Sequence, residues 1–155
     1  MPLDSREFRD TMSHLAGAVS VVIVRDGAAF LGMTANTVTS LSLEPPLLLV
    51  CVDRGAIIAD AITSSDLFAV SFLAADQEDI ARRFADRERA RFDSQPKLSP
   101  AGLPVIPGAL AHLDCRRTDV FEAGDHRIVV ASPEWSETRE GAALIYFRRR
   151  YGGFA

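Results

Sequence analysis

GMTANTVTSLSLEPPLLLVCVDR, residues Gly32 to Arg54, decides how the chain is read. It closes on Leu47 to Val52 (LLLVCV), a short unbroken apolar run of the kind found in a strand buried on both faces. Glu44-Pro45-Pro46 ahead of it is a rigid extended break. Thr34 to Ser42 is small and carries five hydroxyl side chains. Upstream, Ala18 to Val24 (AVSVVIV) is β-branched and short, hence a strand. Asp26-Gly27 signals a hairpin turn, and Ala29 to Met33 returns beside it. Downstream, Phe68 to Leu73, Leu110 to Phe121, His126 to Ala131 and Ala143 to Phe147 read as further strands.

Three helices interrupt them. Asp4 to Leu15 places Phe8, Met12 and Leu15 at helical spacing, begins with an Asp4/Glu7 capping box and is stopped by Gly17. Ala56 to Ser64 is short. Asp76 caps the third, whose apolar stripe is Ile80 and Phe84. Pro96 to Gly108 holds four of the eight prolines and reads as a long irregular connection. Six or seven strands joined mostly by hairpins predict a mainly antiparallel, mainly β fold: a small closed or partly open β-barrel with a few short helices.

The chain has 155 residues, enough for one domain, 1–155. Its 48% hydrophobic and 25% charged content is that of an ordinary globular protein, which excludes general disorder. No apolar run approaches the roughly 20 residues that a membrane helix needs. The first ten residues are charged and lack a signal-peptide core, so a cytoplasmic address is expected. Net charge is −4, which disfavours nucleic acid as a partner. Sixteen arginines stand against the single Lys97, so an anion site here is built from guanidinium forks or backbone N–H groups. Cys51 and Cys115 are far apart and form no metal cluster with the three histidines. No GxGxxG occurs, and no Ser/His/Asp or paired-carboxylate arrangement is legible.

Hydroxyls and backbone N–H groups between Thr34 and Ser42 can cradle a phosphate without a lysine. Asn36 offers a donor and an acceptor, which suits an amide-rich ring such as a flavin. The same segment also reads as a polar strand edge facing water. Asp53 either accepts a bond from such a ring or ends a strand. Arg148-Arg149-Arg150 is either a solvated strand end or a partner for a dinucleotide pyrophosphate. His14 and His112 are assigned to packing or surface.

The segment from Gly32 to Arg54 resembles the short-chain flavin reductase family, the small components of two-component flavin monooxygenases. Phe8-Arg9, Met12 and the run Gly17 to Val24 are similar to the family's opening. Arg91-Phe92, Leu113-Asp114-Cys115, Gly124-Asp125-His126, Tyr146-Phe147-Arg148 and Arg150-Tyr151 match further family motifs in order. The resemblance covers nearly the whole chain. It departs at Thr37-Val38, where the family often has serine and phenylalanine. It departs again at Gly55, where serine is usual, and at Ala131-Ser132-Pro133, where the usual strand carries a glycine. Pro133 ends strand pairing there or places it on an edge.

The resemblance implies a split, Greek-key β-barrel of the FMN-binding type. It implies a homodimer with FMN or FAD beside the interface, reduced by NADH or NADPH and delivered to a partner monooxygenase. Thr34, Ala35, Asn36, Thr37 and Ser40 are then expected to contact the flavin. Cys51, Val52, Asp53 and Arg54 line the same site from the next strand, with Cys51 acting through its backbone. Arg91, followed by Phe92, is the expected phosphate partner, and His126 and Tyr151 face the nicotinamide. Two rivals remain open at this point. One is a passive flavin-binding or electron-transfer barrel, the other a same-fold reductase of a corrinoid or ferric substrate.

Overall fold

The computed structural model describes residues 1–93 and 95–155. In chain order the elements are α1 (Ser5–Met12), β1 (Gly17–Ala18), β2 (Ser20–Asp26), β3 (Ala29–Ala35), β4 (Val38–Leu43), β5 (Pro46–Asp53), α2 (Ala59–Ser64), β6 (Leu67–Phe72), α3 (Glu78–Ala85), β7 (Ala111–Ala123), β8 (His126–Thr138), β9 (Ala143–Phe147) and β10 (Arg150–Phe154). Seven strands form one sheet in the order β3-β2-β6-β7-β8-β5-β4. A separate three-stranded sheet has the order β1-β9-β10. Every named strand pairing is antiparallel.

The large sheet rolls around a core. Val22 and Val24 of β2, Leu31 of β3, Val50 and Val52 of β5, Phe68 of β6 and Val129 of β8 meet in one buried cluster with Ile58 and Ile62. Strands near opposite edges can share that cluster only if the sheet curls. A second cluster lies outside it. There Val21 and Ile23 of β2 pack against Ala81 and Phe84 of α3, with Leu103 and Ile106 from the proline-rich connection and Leu144 of β9. Backbone bonds from Val19 N–H to the Leu144 carbonyl and from Leu73 N–H to the Val19 carbonyl tie the small sheet to the corner of the large one.

These two layers correct the reading of the apolar runs. The strand buried on both faces is β2, whose Ser20 to Val24 are all buried. Leu47 to Val52 instead alternates. Leu48, Val50 and Val52 point into the core, while Leu47, Leu49 and Cys51 are half-buried. Among the described residues, that outer face of β5 is left partly open, with Phe8, Met12 and Leu15 standing across a groove from Leu49 and Cys51.

Helix α1 ends at Met12, and Gly17 starts a strand instead of stopping the helix. The Asp4/Glu7 capping box is present. Asp76 does not cap α3. Gln77 occupies the N-cap, and its carboxamide instead accepts from Ala74 N–H at 2.9 Å and donates to the Pro107 carbonyl at 2.8 Å. The β8 strand runs on through Pro133 to Thr138, past the last β5 partner at Ala131. Pro133 therefore sits on a local edge, and the pairing with β7 shifts register beside it.

Candidate functional site

Two cavities meet at Asn36. The first is a cleft of about 170 Å³ lined by Val19, Thr34, Ala35, Asn36, Ala85, Tyr146 and Tyr151. The second is a groove of about 630 Å³, floored by Leu49, Cys51, Thr37 and Val38 and walled by Phe8, Met12 and Leu15. A third hollow of about 240 Å³, between Ala56-Ile57 and Phe84-Ala85, shares Thr34 with the cleft.

The local geometry follows from β3. Gly32 lies against the Phe84 ring, and a Cβ there would come within 2.5 Å of it. The missing side chain lets α3 lie close on β3. Thr34 then reaches α3, and its Oγ1 donates to the Ala81 carbonyl at 2.6 Å. Thr37 Oγ1 donates to the Cys51 carbonyl at 3.0 Å and fixes the start of β4 over β5. Asn36 lies between them and is exposed. On the facing wall the Tyr146 and Tyr151 rings are 5.1 Å apart. Burial pushes the Tyr151 hydroxyl's pKa up.

The structure brings Thr34, Ala35, Asn36 and Tyr151 together in the cleft and places Thr37 and Cys51 in the adjoining groove. Other expected residues stand elsewhere. The Val52 side chain is fully buried in the core, because β5 alternates. Ser40 is exposed on β4, paired with Leu48, and lines neither cavity. The Phe92 ring packs 4.9 Å from Phe84 and belongs to the outer core. Arg91 is exposed and its backbone bridges to Leu31. Arg54 is held by Glu122, whose carboxyl that bond keeps below the usual carboxylate range.

His126 pairs across the sheet with Asp53, and its Nδ1 lies 2.7 Å from the Asp125 carboxylate. That bond lowers the Asp125 pKa. Asp53, Asp125 and His126 bring potential ligand atoms within 4.8 Å of one another. Internal bonds already occupy the group, since Asp53 also accepts from Gly55 N–H at 2.6 Å. Tyr151 lines the cleft, whereas His126 lines none of the three cavities described above.

One arrangement escaped the sequence. Ser71 Oγ lies 2.9 Å from His112 Nδ1, His112 Nε2 lies 3.0 Å from Asp114 Oδ1, and Ser99 Oγ donates to the same oxygen at 2.8 Å. These are the components of a Ser/His/Asp triad, but Ser71 is sealed from solvent at 0% exposure. No substrate reaches it, and the network serves to latch the 96–108 connection onto β7. His112 and Asp114 share a face of one strand, which is a legible spacing. Ser71 and Ser99 come from distant segments and are not.

The lining fits a flavin. The exposed Asn36 carboxamide, which can donate and accept, the lone pairs left on the Thr34 and Thr37 hydroxyls and two tyrosine rings surround joined cavities large enough for a ring system. Lys97 takes no part, being paired with Glu137.

Comparison with known proteins agrees. Residues 12–155 match the family described as "Flavin reductase like domain". An NADH-dependent FAD reductase of Streptomyces globisporus is 38% identical over 164 residues, covering 99% of this chain and 88% of that protein. The reductase subunit of a flavin-dependent monooxygenase of Rhodococcus jostii is 33% identical, covering 97% and 78%. Among solved structures, the flavin reductase component of a bacterial two-component tryptophan halogenase superposes with a TM-score of 0.90 at 37% identity, covering 97% of this chain and 98% of that one. With the β-sheet architecture, the cleft and these relatives in agreement, the chain belongs to the flavin reductase like domain family.

Proposed function

We propose that this chain catalyses the NAD(P)H-dependent reduction of FMN or FAD and supplies reduced flavin to a partner monooxygenase. The observation that carries the reading is the position of Asn36, on the shared lip of the tyrosine-walled cleft and the larger groove. A bound flavin supplies the redox chemistry by accepting hydride from reduced nicotinamide. The chain's own task is placement. Thr34, Asn36 and Thr37 hold the ring system and its phosphate-bearing tail, and Tyr146 and Tyr151 close one side against water. No acid or base is called on, which accords with a cleft that no carboxylate or histidine lines. His126 is read as a nicotinamide-positioning group at the Asp53 end of β5, two residues along from Cys51 in the groove.

The relatives named as NADH-dependent reductase and monooxygenase reductase subunit favour an enzyme over a passive flavin carrier. A homodimer is part of the proposal. Phe8, Met12 and Leu15 stay exposed around the groove, and a second copy would cover them. Light scattering at micromolar concentration should give twice the chain mass of 16.8 kDa. Among the described residues, no helix is long and apolar enough to cross a membrane. The reading sets the reaction in the cytoplasm, and one domain, 1–155, carries it.

The test is NADH and NADPH oxidation followed with FMN, with FAD and with no flavin. Oxidation should depend on added or bound flavin. Equal traces with and without flavin, in protein shown to be flavin-free, would sink the proposal.

A further inference from the structure

The cleft's two walls belong to different sheets. Thr34 to Asn36 continue from β3 of the large sheet, while Tyr146 and Tyr151 stand on β9 and β10 of the small one. Helix α3 touches both. It takes the Thr34 bond at Ala81 and presents Arg82, whose Cζ lies 5.1 Å from the centroid of the Tyr151 ring. Arg82 is fixed in turn by Glu78, one turn earlier. Its Nε and Nη2 bond the same carboxylate oxygen at 2.9 and 2.6 Å. An aromatic face attracts a cation, and an i,i+4 ion pair restricts where the guanidinium can go. Arg82 is 62% exposed, so core packing does not dictate its pose.

We infer that Arg82, held by Glu78, is a positioning residue that sets the stance of Tyr151 and with it the width of the cleft. This rests on the proposed function together with the expectation, drawn from the family resemblance, that Tyr151 faces the nicotinamide where it meets flavin in the cleft. With Arg82 truncated, Tyr151 loses its outer, cationic support and keeps Tyr146 and its packing against the outer core. The flavin contacts on β3 and β4 remain. The damage therefore falls on nicotinamide use and spares flavin affinity.

The test compares wild type with R82M, R82K, E78Q and Y151A. Flavin affinity is read by fluorescence quenching, and kcat and KM for NADH by steady-state oxidation. Tyr151 itself is read in flavin-free Y146F protein by phenol absorbance titration. R82M should lower kcat/KM for NADH by about 2- to 5-fold, the size of an exposed cation–π contact. It should leave flavin affinity within about twofold. It should also move Tyr151 ionisation to higher pH, since the Arg82 charge favours the phenolate. R82K, which keeps a cation over the ring, should recover most of the loss. E78Q should shift kcat/KM the same way. If Y151A impairs NADH use but R82M matches wild type in kcat/KM and in the Tyr151 titration, the inference is overturned and the site reading stands. If Y151A changes nothing, the site reading fails and the inference falls with it.

Discussion

The Thr34 hydroxyl donates a 2.6 Å hydrogen bond to the Ala81 carbonyl, joining the floor of the cleft to α3. The donor is spent inside the protein, so only the oxygen's lone pairs remain for a ligand. Thr34→Val keeps the shape and loses the bond. It should cost about 1 kcal/mol of stability, read as a urea midpoint shift at unchanged slope. Flavin binding should weaken with it. An unchanged midpoint would show that α3 is seated by Phe84 alone.

Asp114 is the centre of the buried Ser71–His112–Asp114–Ser99 network and also accepts from Ala101 N–H at 3.3 Å. Asp114→Ala leaves several buried groups without a partner. The expected loss is about 3 kcal/mol, with early proteolytic cutting in the 96–108 connection. Wild-type resistance to cleavage there would argue that Leu103 and Ile106, not the network, hold the connection.

The two thiols should behave differently. Burial, with Asp114 and Glu134 adding to it, pushes the Cys115 thiol up to about 12. Cys51 is half-buried on the groove. A disulfide reagent at pH 8 should titrate one thiol in the native protein and two after unfolding. The sign for stability follows from protonation. The folded state holds the Cys115 proton more tightly than the unfolded state, whose ordinary value is 9.0. The stabilisation is complete below about pH 9 and fades as pH climbs toward 12. Two fast-reacting thiols in native protein would contradict this.

His126→Ala should raise the KM for NADH or slow flavin reduction while leaving flavin affinity nearly unchanged. The groups in the cleft and groove that would hold flavin lie on other segments. Misplacing a hydride donor by an ångström costs about 10²-fold in rate, so the defect should be plain in stopped-flow traces. Reduction at the wild-type rate at every NADH concentration would return His126 to a turn residue paired with Asp125.

Strands with strong side-chain signatures were legible in the sequence. β2, β3, β6 and β9 follow β-branched or apolar runs. The short strands β1 and β10 were not. They contain Gly17 and Gly152-Gly153, which carry no side-chain pattern, and they gain their pairing from β9. Burial could not be read from LLLVCV alone. Whether β5 has one covered face or two depends on what packs outside it, and α3 covers β2 instead. The cleft was half legible. Thr34 to Asn36 opened the visible hydroxyl-rich segment Thr34 to Ser42, whereas the approach of Tyr151 is a product of tertiary contact between two sheets. Asn36 and Tyr151 are 115 positions apart in the chain, and nothing local links them.

Asn36 stands on the lip shared by the cleft and the groove, where flavin is proposed to bind. The measurement is anaerobic reduction of flavin by NADH, followed by loss of flavin absorbance as flavin concentration is varied, in wild type and Asn36→Ala. Wild type should reduce flavin with a saturable dependence. Asn36→Ala should need roughly 5- to 150-fold more flavin to reach half-maximal rate, the cost of a lost hydrogen bond of about 1–3 kcal/mol. Identical flavin dependence in the two proteins would contradict the account and place the flavin away from Asn36.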